Sequence, residues 1–160
     1  MVVSFSGHRS CKAGSCAALE GVIEGLALRG YTTFISGMAE GFDIIAAEAV
    51  LALKRRGVAV SLVCAVPFRG HEMTMPNAAW RKRYADIIAA ADSVVVLSES
   101  YSVNSYRERN DYLVERADAL VCYYSGKSVS GTGYTVKKAL KKCIEVVNIY
   151  ADGVQIRFFG

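Results

Sequence analysis

No apolar run in this sequence approaches the ~18 residues that a membrane-crossing helix requires, and runs such as Val58 to Val66 are strand-sized. The first residues lack a basic segment followed by an apolar one, so a cytoplasmic location is expected. Cysteine lacks the spacing of a disulfide or zinc framework. Cys11, Cys16, Cys64, Cys122 and Cys143 form an odd set without C-x-x-C, three of them in apolar stretches, which predicts ordinary thiols in a reducing compartment. Histidine is scarce: with only His8 and His71 as imidazole partners, Cys11 and Cys16 do not suggest a metal site, and none is expected. Neither G-x-G-x-x-G after the first strand nor G-x-x-x-x-G-K-[ST] anywhere is present, which excludes the usual dinucleotide fingerprint and the P-loop. The net charge of +4 is modest, so it does not by itself predict a nucleic-acid partner.

What is present is the pattern of a buried α/β domain. The 160 residues suit one domain, taken as 1–160, and 52% hydrophobic against 21% charged residues suggests elements covered on more than one side. Val2–Ser6 reads as a buried strand that runs into Gly7-His8-Arg9-Ser10. Leu19, Val22, Ile23 and Leu26 recur at helical spacing, with Ser15 placed as a cap and Gly30 as a stop. Tyr31–Ile35, Val58–Val66, Ser93–Leu97, Ala119–Tyr124 and Val146–Tyr150 read as further strands. Helical runs through Leu53, around Trp80, Tyr84 and Ile87, around Tyr112 and Leu113, and from Val136 to Cys143 separate them. Glu99 to Asn110 shows no apolar period and reads as a lid. Asp152-Gly153 signals a hairpin that adds Val154–Phe158 as an antiparallel edge. The alternation predicts a Rossmann-like, doubly wound, mostly parallel sheet with helices on both faces and a C-terminal antiparallel hairpin. In such a sheet ligands bind outside the strand carboxyl ends.

Three polar, glycine-bearing loops follow predicted strands: Gly7-His8-Arg9-Ser10, Ser36-Gly37-Met38-Ala39-Glu40-Gly41-Phe42-Asp43 and Ser130-Gly131-Thr132-Gly133. Glycine lets the main chain approach a ligand, and a following helix offers unpaired N–H groups to a phosphate. Ser130 and Thr132 add hydroxyls, and Arg9 a charge-assisted donor. Each loop alone is weak evidence, because α/β connections need glycines for turns; their coincidence points to a phosphorylated, nucleotide-like ligand.

The order of Gly7-His8-Arg9, Ser36 to Asp43, Val66-Pro67-Phe68, Trp80, Arg107-Glu108-Arg109-Asn110 and Ser130 to Gly133 resembles the YpsA-like family of the SLOG superfamily over nearly the whole chain. That superfamily includes the Lonely guy phosphoribohydrolases and the Rossmann-like domain of DNA-processing protein A, and its members are thought to bind nucleotides or nucleotide-derived ligands. The resemblance implies that Gly37, Gly41 and Asp43 form one wall of the site and Gly131, Thr132 and Gly133 a phosphate cradle. A nucleotide, ADP-ribose or an NAD-like molecule fits that expectation. Lonely guy enzymes carry a glutamate after their glycine-threonine loop, whereas Tyr134, Thr135, Val136, Lys137 and Lys138 follow here. If an N-glycosidic bond were hydrolysed, Glu40, Asp43 or Glu48 would have to supply the acid or base.

Individual side chains divide between roles. His8 and Arg9 sit at a strand end and are read as ligand contacts, while His71 needs no more than exposed loop polarity. Asp43 suits a ribose hydroxyl or a helix cap equally. Trp80 has core spacing; Tyr101 and Tyr106 in the lid are better placed to stack. Arg107, Arg109 and Asn110 would close over an anion. Arg81 to Arg83 and the lysines from Lys137 to Lys142 read as solvated faces, which argues against nucleic acid as the partner. The expected function is nucleotide-ligand binding by a sensor or regulatory module. Nucleoside monophosphate hydrolysis and single-stranded nucleic-acid binding are the alternatives, and related folds pair through surface helices, so a homo-oligomer stays open.

Overall fold

The computed structural model describes residues 1–11, 13–126, 129–150 and 155–157. Six strands alternate with helices: β1 (Val2–Gly7), α1 (Leu19–Leu28), β2 (Thr33–Ser36), α2 (Phe42–Arg55), β3 (Ser61–Val66), α3 (Ala78–Ala90), β4 (Ser93–Val96), α4 (Ser105–Arg116), β5 (Ala119–Tyr123), α5 (Gly131–Lys141) and β6 (Glu145–Asn148). A short β7 (Gln155–Arg157) follows, and 3₁₀ turns lie at Ala13–Cys16 and His71–Thr74. The sheet order is β4-β3-β2-β1-β5-β6-β7, with β1 to β6 parallel and β7 antiparallel to β6. The expected doubly wound sheet and its antiparallel edge are therefore present; the Asp152-Gly153 turn lies outside the described residues.

Alternation along the strands sorts the two faces. Ala119 and Val121 join Phe5, Phe34, Leu62 and Cys64 beneath α1, α2 and α3, whereas Leu120, Cys122 and Val146 pack with Val114 of α4 and Val136 and Ala139 of α5. Helix α2 is the central prop: Ile44, Ala46, Ala47, Val50 and Leu53 are all buried, as a helix lying between a sheet and two neighbours requires. The chain lays β2, β3 and β4 to one side of β1 and then crosses to place β5 on the other. The resulting switch point between β1 and β5 opens a crevice at the carboxyl ends of the strands.

Two local expectations are corrected. The N-cap position of α1 falls at Ala18 and not at Ser15, whose backbone belongs to the 3₁₀ turn, and α1 begins at Leu19. The second half of the stretch read as a lid is helical, because α4 starts at Ser105. Ser105 Oγ accepts the Ser102 N–H at 2.8 Å, and Ser102 Oγ accepts the Asn104 N–H at 3.2 Å, so serines organise the entry to the helix. The face that α4 buries is Ser105, Arg109, Asn110, Leu113 and Val114. Its spacing is helical, but three of its five members are polar.

Candidate functional site

Glycines allow the first two loops to interlock. A Cβ on Gly7 would stand 2.4 Å from Phe42 Cβ, so β1 can end against α2 only without a side chain there. Gly41 has φ +88°, and a Cβ on it would lie 2.5 Å from the Arg9 carbonyl oxygen. The His8 carbonyl oxygen accepts the N–H groups of Phe42 and Cys11, each at 3.3 Å. The His8 ring is oriented by β5: Nε2 accepts the Ser125 N–H at 2.9 Å and lies 3.0 Å from Ser125 Oγ. An Nε2 that accepts from a backbone N–H carries no proton, so Nδ1 bears the hydrogen.

Behind the second loop is a buried polar layer. Ser36 Oγ donates to the Asp43 carbonyl at 2.9 Å and accepts the Met38 N–H at 3.2 Å, which holds buried Met38 at φ 61°. Asp43 Oδ2 accepts the Ala39 N–H at 3.2 Å. Burial pushes the Asp43 carboxyl up to about 6, against the opposing pull of the Arg109 charge and the Ala39 N–H.

Arg109 reaches this layer from α4. Its Nε donates to Asn110 Oδ1 at 2.9 Å and its Nη1 to the Gly37 carbonyl at 2.5 Å. Gly37 makes room for it: a Cβ there would lie 2.7 Å from Arg109 Cδ and 3.0 Å from Asp43 Oδ2. The residue is only 6% exposed, and burial lowers its guanidinium from the usual value, though arginine stays cationic. Among the described residues no buried side-chain nitrogen or oxygen lacks a partner, and Arg109 itself lines the cavity.

Helix α5 supplies the facing wall. Ser130 Oγ accepts the Gly133 N–H at 2.9 Å and caps the helix. The N–H groups of Gly131 and Thr132, the first two helical residues, have no acceptor within the helix, and the helix dipole adds positive potential there. A third side is aromatic. His71 is buried, with Nδ1 3.1 Å from the Tyr84 hydroxyl, and it makes ring contacts with Phe68 and Tyr106. Burial, assisted by the charges of Arg109 and Arg9, lowers His71 to about 4, so it is neutral at pH 7.

These walls enclose a cavity of about 440 Å³ at the carboxyl edge of the sheet. Gly7, His8, Arg9, Glu40, Asp43, Arg109, Asn110, Ser130, Gly131 and Thr132, all singled out in the sequence, line it, as does the stacking candidate Tyr106. Ser36, Gly37, Met38 and Gly41 are not on its surface but shape the layer behind it. The Gly133 N–H, expected in the phosphate cradle, is taken by Ser130. Arg107 is exposed and lies away from the lining. Glu48 is held by Arg83 on the outer side of α2, with Arg83 Nε 3.1 Å from Glu48 Oε2, and lines a different depression. Tyr101 does not line the site but touches Tyr106, which does, and half-buried Trp80 packs on the core with Arg83 over its ring.

Sequence reasoning missed Ser6, Ala39, Thr74 and Met75, and it took His71 for an exposed loop residue. The spacing of His71 from Tyr84 is no local motif; the two meet because the 67–77 connection folds back over α3. Among the described residues no three His, Cys, Asp or Glu side chains cluster to hold a metal, and no helix is long and apolar enough to cross a membrane.

A doubly wound α/β domain with glycine-bearing loops, two helix N-termini and a buried arginine at its switch point defines the Rossmann-like class. The chain belongs to the YspA SLOG family, whose YpsA model matches residues 16–152. It is 30% identical over 131 residues to a UPF0398 protein of Halalkalibacterium halodurans, covering 78% of this chain and 67% of that protein. Two solved structures share the fold, each with a TM-score of 0.65: DNA processing protein A from Streptococcus pneumoniae at 23% identity and from Helicobacter pylori at 21%. They cover 90% and 91% of this chain, which spans only 48% and 63% of theirs.

The Helicobacter pylori structure concerns a unique single-stranded DNA binding mode. The expectation that argued against nucleic acid is corrected accordingly. It rested on net charge and on the solvated helix faces, and neither measures the local field at the strand ends, where Arg9 and Arg109 line the same cavity.

Proposed function

We propose that the cavity binds a phosphorylated, nucleotide-derived small molecule and that the chain acts as a sensor or regulatory module. The observation that carries this is Arg109: a buried guanidinium, held by Asn110 and the Gly37 carbonyl through two of its nitrogens, that lines a cavity also holding the N-terminus of α5. A phosphate seated there would accept from Arg109 Nη2, from the N–H groups of Gly131 and Thr132 and from the Thr132 hydroxyl, with Arg9 closing from the mouth. The cavity lies toward the small end of the ~300–1,000 Å³ range of ligand sites, which suits a mononucleotide better than a dinucleotide. Tyr106 and neutral His71 offer a base an aromatic edge without adding charge.

Thermal shift with AMP, GMP, ADP-ribose and NAD tests the reading. Stabilisation that rises with ligand concentration and is reduced in R9A and T132A supports it. No shift with any of the four refutes it.

A second reading, binding of single-stranded DNA, is favoured by the shared fold with the Helicobacter pylori protein. It predicts binding of an oligonucleotide that weakens steeply with added salt and is lost in R9A. Salt-insensitive or absent binding removes it. For hydrolysis, Glu40 and Asp43 are the carboxylates on the cavity, and Asp43 is tied into the buried layer. Release of free base from AMP that disappears in E40Q would support that alternative.

A further inference from the structure

One end of the ligand cavity is built from hydrogen-bond donors. Arg9 and Arg109 carry only donors on their side chains, and the N-terminus of α5 presents the N–H groups of Gly131 and Thr132. Two carboxylates share the cavity, and they are differently placed. Asp43 is 4% exposed and engaged: its Oδ2 accepts the Ala39 N–H at 3.2 Å. Glu40 is half-buried and, among the described residues, forms neither a hydrogen bond nor an ion pair. An ionised carboxylate only accepts, so Glu40 can take an O–H or N–H hydrogen from a ligand and nothing else. A phosphate dianion offers neither and is repelled by it.

The order of the loops decides which part of a nucleotide lies beside Glu40. Along the carboxyl edge of the sheet the strands run β3-β2-β1-β5. The connection after β3 brings His71 and Met75 to the cavity, and the loop after β2 brings Glu40. The loop after β1 brings Arg9, and α5, which follows β5, brings Gly131 and Thr132. At about 4.8 Å per strand, the edge from β3 to β5 spans roughly 14 Å. A nucleotide with its phosphate on α5 and its base against His71 and Tyr106 lies along that edge, so its sugar passes the loop after β2. Glu40 stands where the ribose hydroxyls come.

We propose that Glu40 reads the ribose: its two carboxylate oxygens accept the cis-vicinal 2′- and 3′-hydroxyls, so the cavity selects ribonucleotides over deoxyribonucleotides. The assignment rests on the ligand reading given above and narrows it to 5′-phosphorylated ribonucleosides. Each hydroxyl donates to an ionised acceptor, and such bonds contribute more than neutral ones. A deoxyribose turns a C–H toward one carboxylate oxygen, which loses the bond after giving up its water. Because Glu40 is half-buried, solvent replaces part of what is lost, which keeps the discrimination well below that of a sealed pocket. The DNA reading carries the opposite expectation, since it gives a 2′-hydroxyl no role.

Calorimetric titration of the full chain with AMP, 2′-deoxy-AMP and 3′-deoxy-AMP tests the assignment. The natural chain should bind AMP roughly ten- to a hundredfold more tightly than either deoxy analogue. In E40A the three affinities should converge, because AMP alone loses bonds. The deoxy analogues should bind the variant no more weakly than the natural chain, since it also lacks a negative charge near the phosphate. E40Q keeps the shape and one acceptor oxygen but not the charge, and its preference should be intermediate.

Equal affinity of the natural chain for AMP and both deoxy analogues overturns the assignment, as does a preference for AMP that survives in E40A. A uniform fall for all three ligands in E40A reveals a merely structural role for the loop and overturns it too. If E40A alters the ratio of GMP to AMP but not that of AMP to its deoxy analogues, Glu40 reads the base and the proposal fails. If none of the three ligands binds, the ligand reading fails and takes the proposal with it; binding without ribose preference sinks the proposal alone. The comparison on the natural chain needs no variant, so it decides even where E40A folds poorly.

Discussion

Asp43 and His71 line one cavity, are both buried, and take up protons in the opposite order relative to the unfolded chain. For His71 the unfolded chain binds a proton near 6.5 and the folded chain only near about 4. As pH falls through that window the unfolded state holds more protons, and the fold loses stability. At about 1.4 kcal/mol per pH unit the loss approaches about 3 kcal/mol. For Asp43 the folded chain takes its proton near about 6 and the unfolded chain near 3.8. Here falling pH stabilises the fold, by about 3 kcal/mol over its own window. In the natural chain the two contributions oppose each other between about pH 4 and about pH 6 and nearly cancel.

Substitution separates them. H71Q removes one titration and should leave a protein that gains about 3 kcal/mol, relative to the natural chain, as pH drops from about 6.5 to about 4. D43N should show the reverse trend, losing stability relative to the natural chain over nearly the same interval. Urea unfolding at a series of pH values, with the m-value monitored to verify two-state behaviour, measures both. If the curves of all three proteins run parallel, neither group titrates in the buried state described, and the account of the cavity's electrostatics is wrong.

Neutralising Asp43 also leaves the Arg109 charge less opposed, so sulfate, whose own charge is constant in this range, should bind more tightly as pH falls from about 7 to about 5.5. Isothermal titration checks it, and D43N should abolish the dependence. G37A would force its Cβ to within 2.7 Å of Arg109 Cδ and should both weaken anion binding and destabilise the fold by about 1–3 kcal/mol. G21A, in α1 with nothing within 4 Å of the added methyl, should stabilise by about 0.5–1 kcal/mol in the same unfolding assay. S130A removes the bond to the Gly133 N–H and should cost about 1 kcal/mol while slackening the first turn of α5, seen as faster amide exchange there.

The α/β alternation, the strand positions and the glycine loops were legible because they are encoded locally. Period 2 and period 3.6 in apolar residues report which face meets the core, and a loop glycine reports a close approach or a positive φ, as Gly7 and Gly41 show. Helix α4 escaped that reading because its buried face includes Ser105, Arg109 and Asn110, so an apolar count found no period in its first half. Those polar residues are buried by virtue of the partners that satisfy them, Gly37 and Asp43 among them, which lie about seventy residues earlier in the chain.

Local pattern and the handedness of crossovers are enough to place the fold class, the edge of the sheet on which a ligand could lie and most of the backbone that reaches it. Which charges meet there depends on long-range packing. It turned Arg109 from a lid residue into a buried anchor, made His71 a neutral wall and sent Glu48 to Arg83 on the far side of α2. Burial and long-range pairing set the charge state and the partner of a polar group, and neither is a property of its neighbours in the chain.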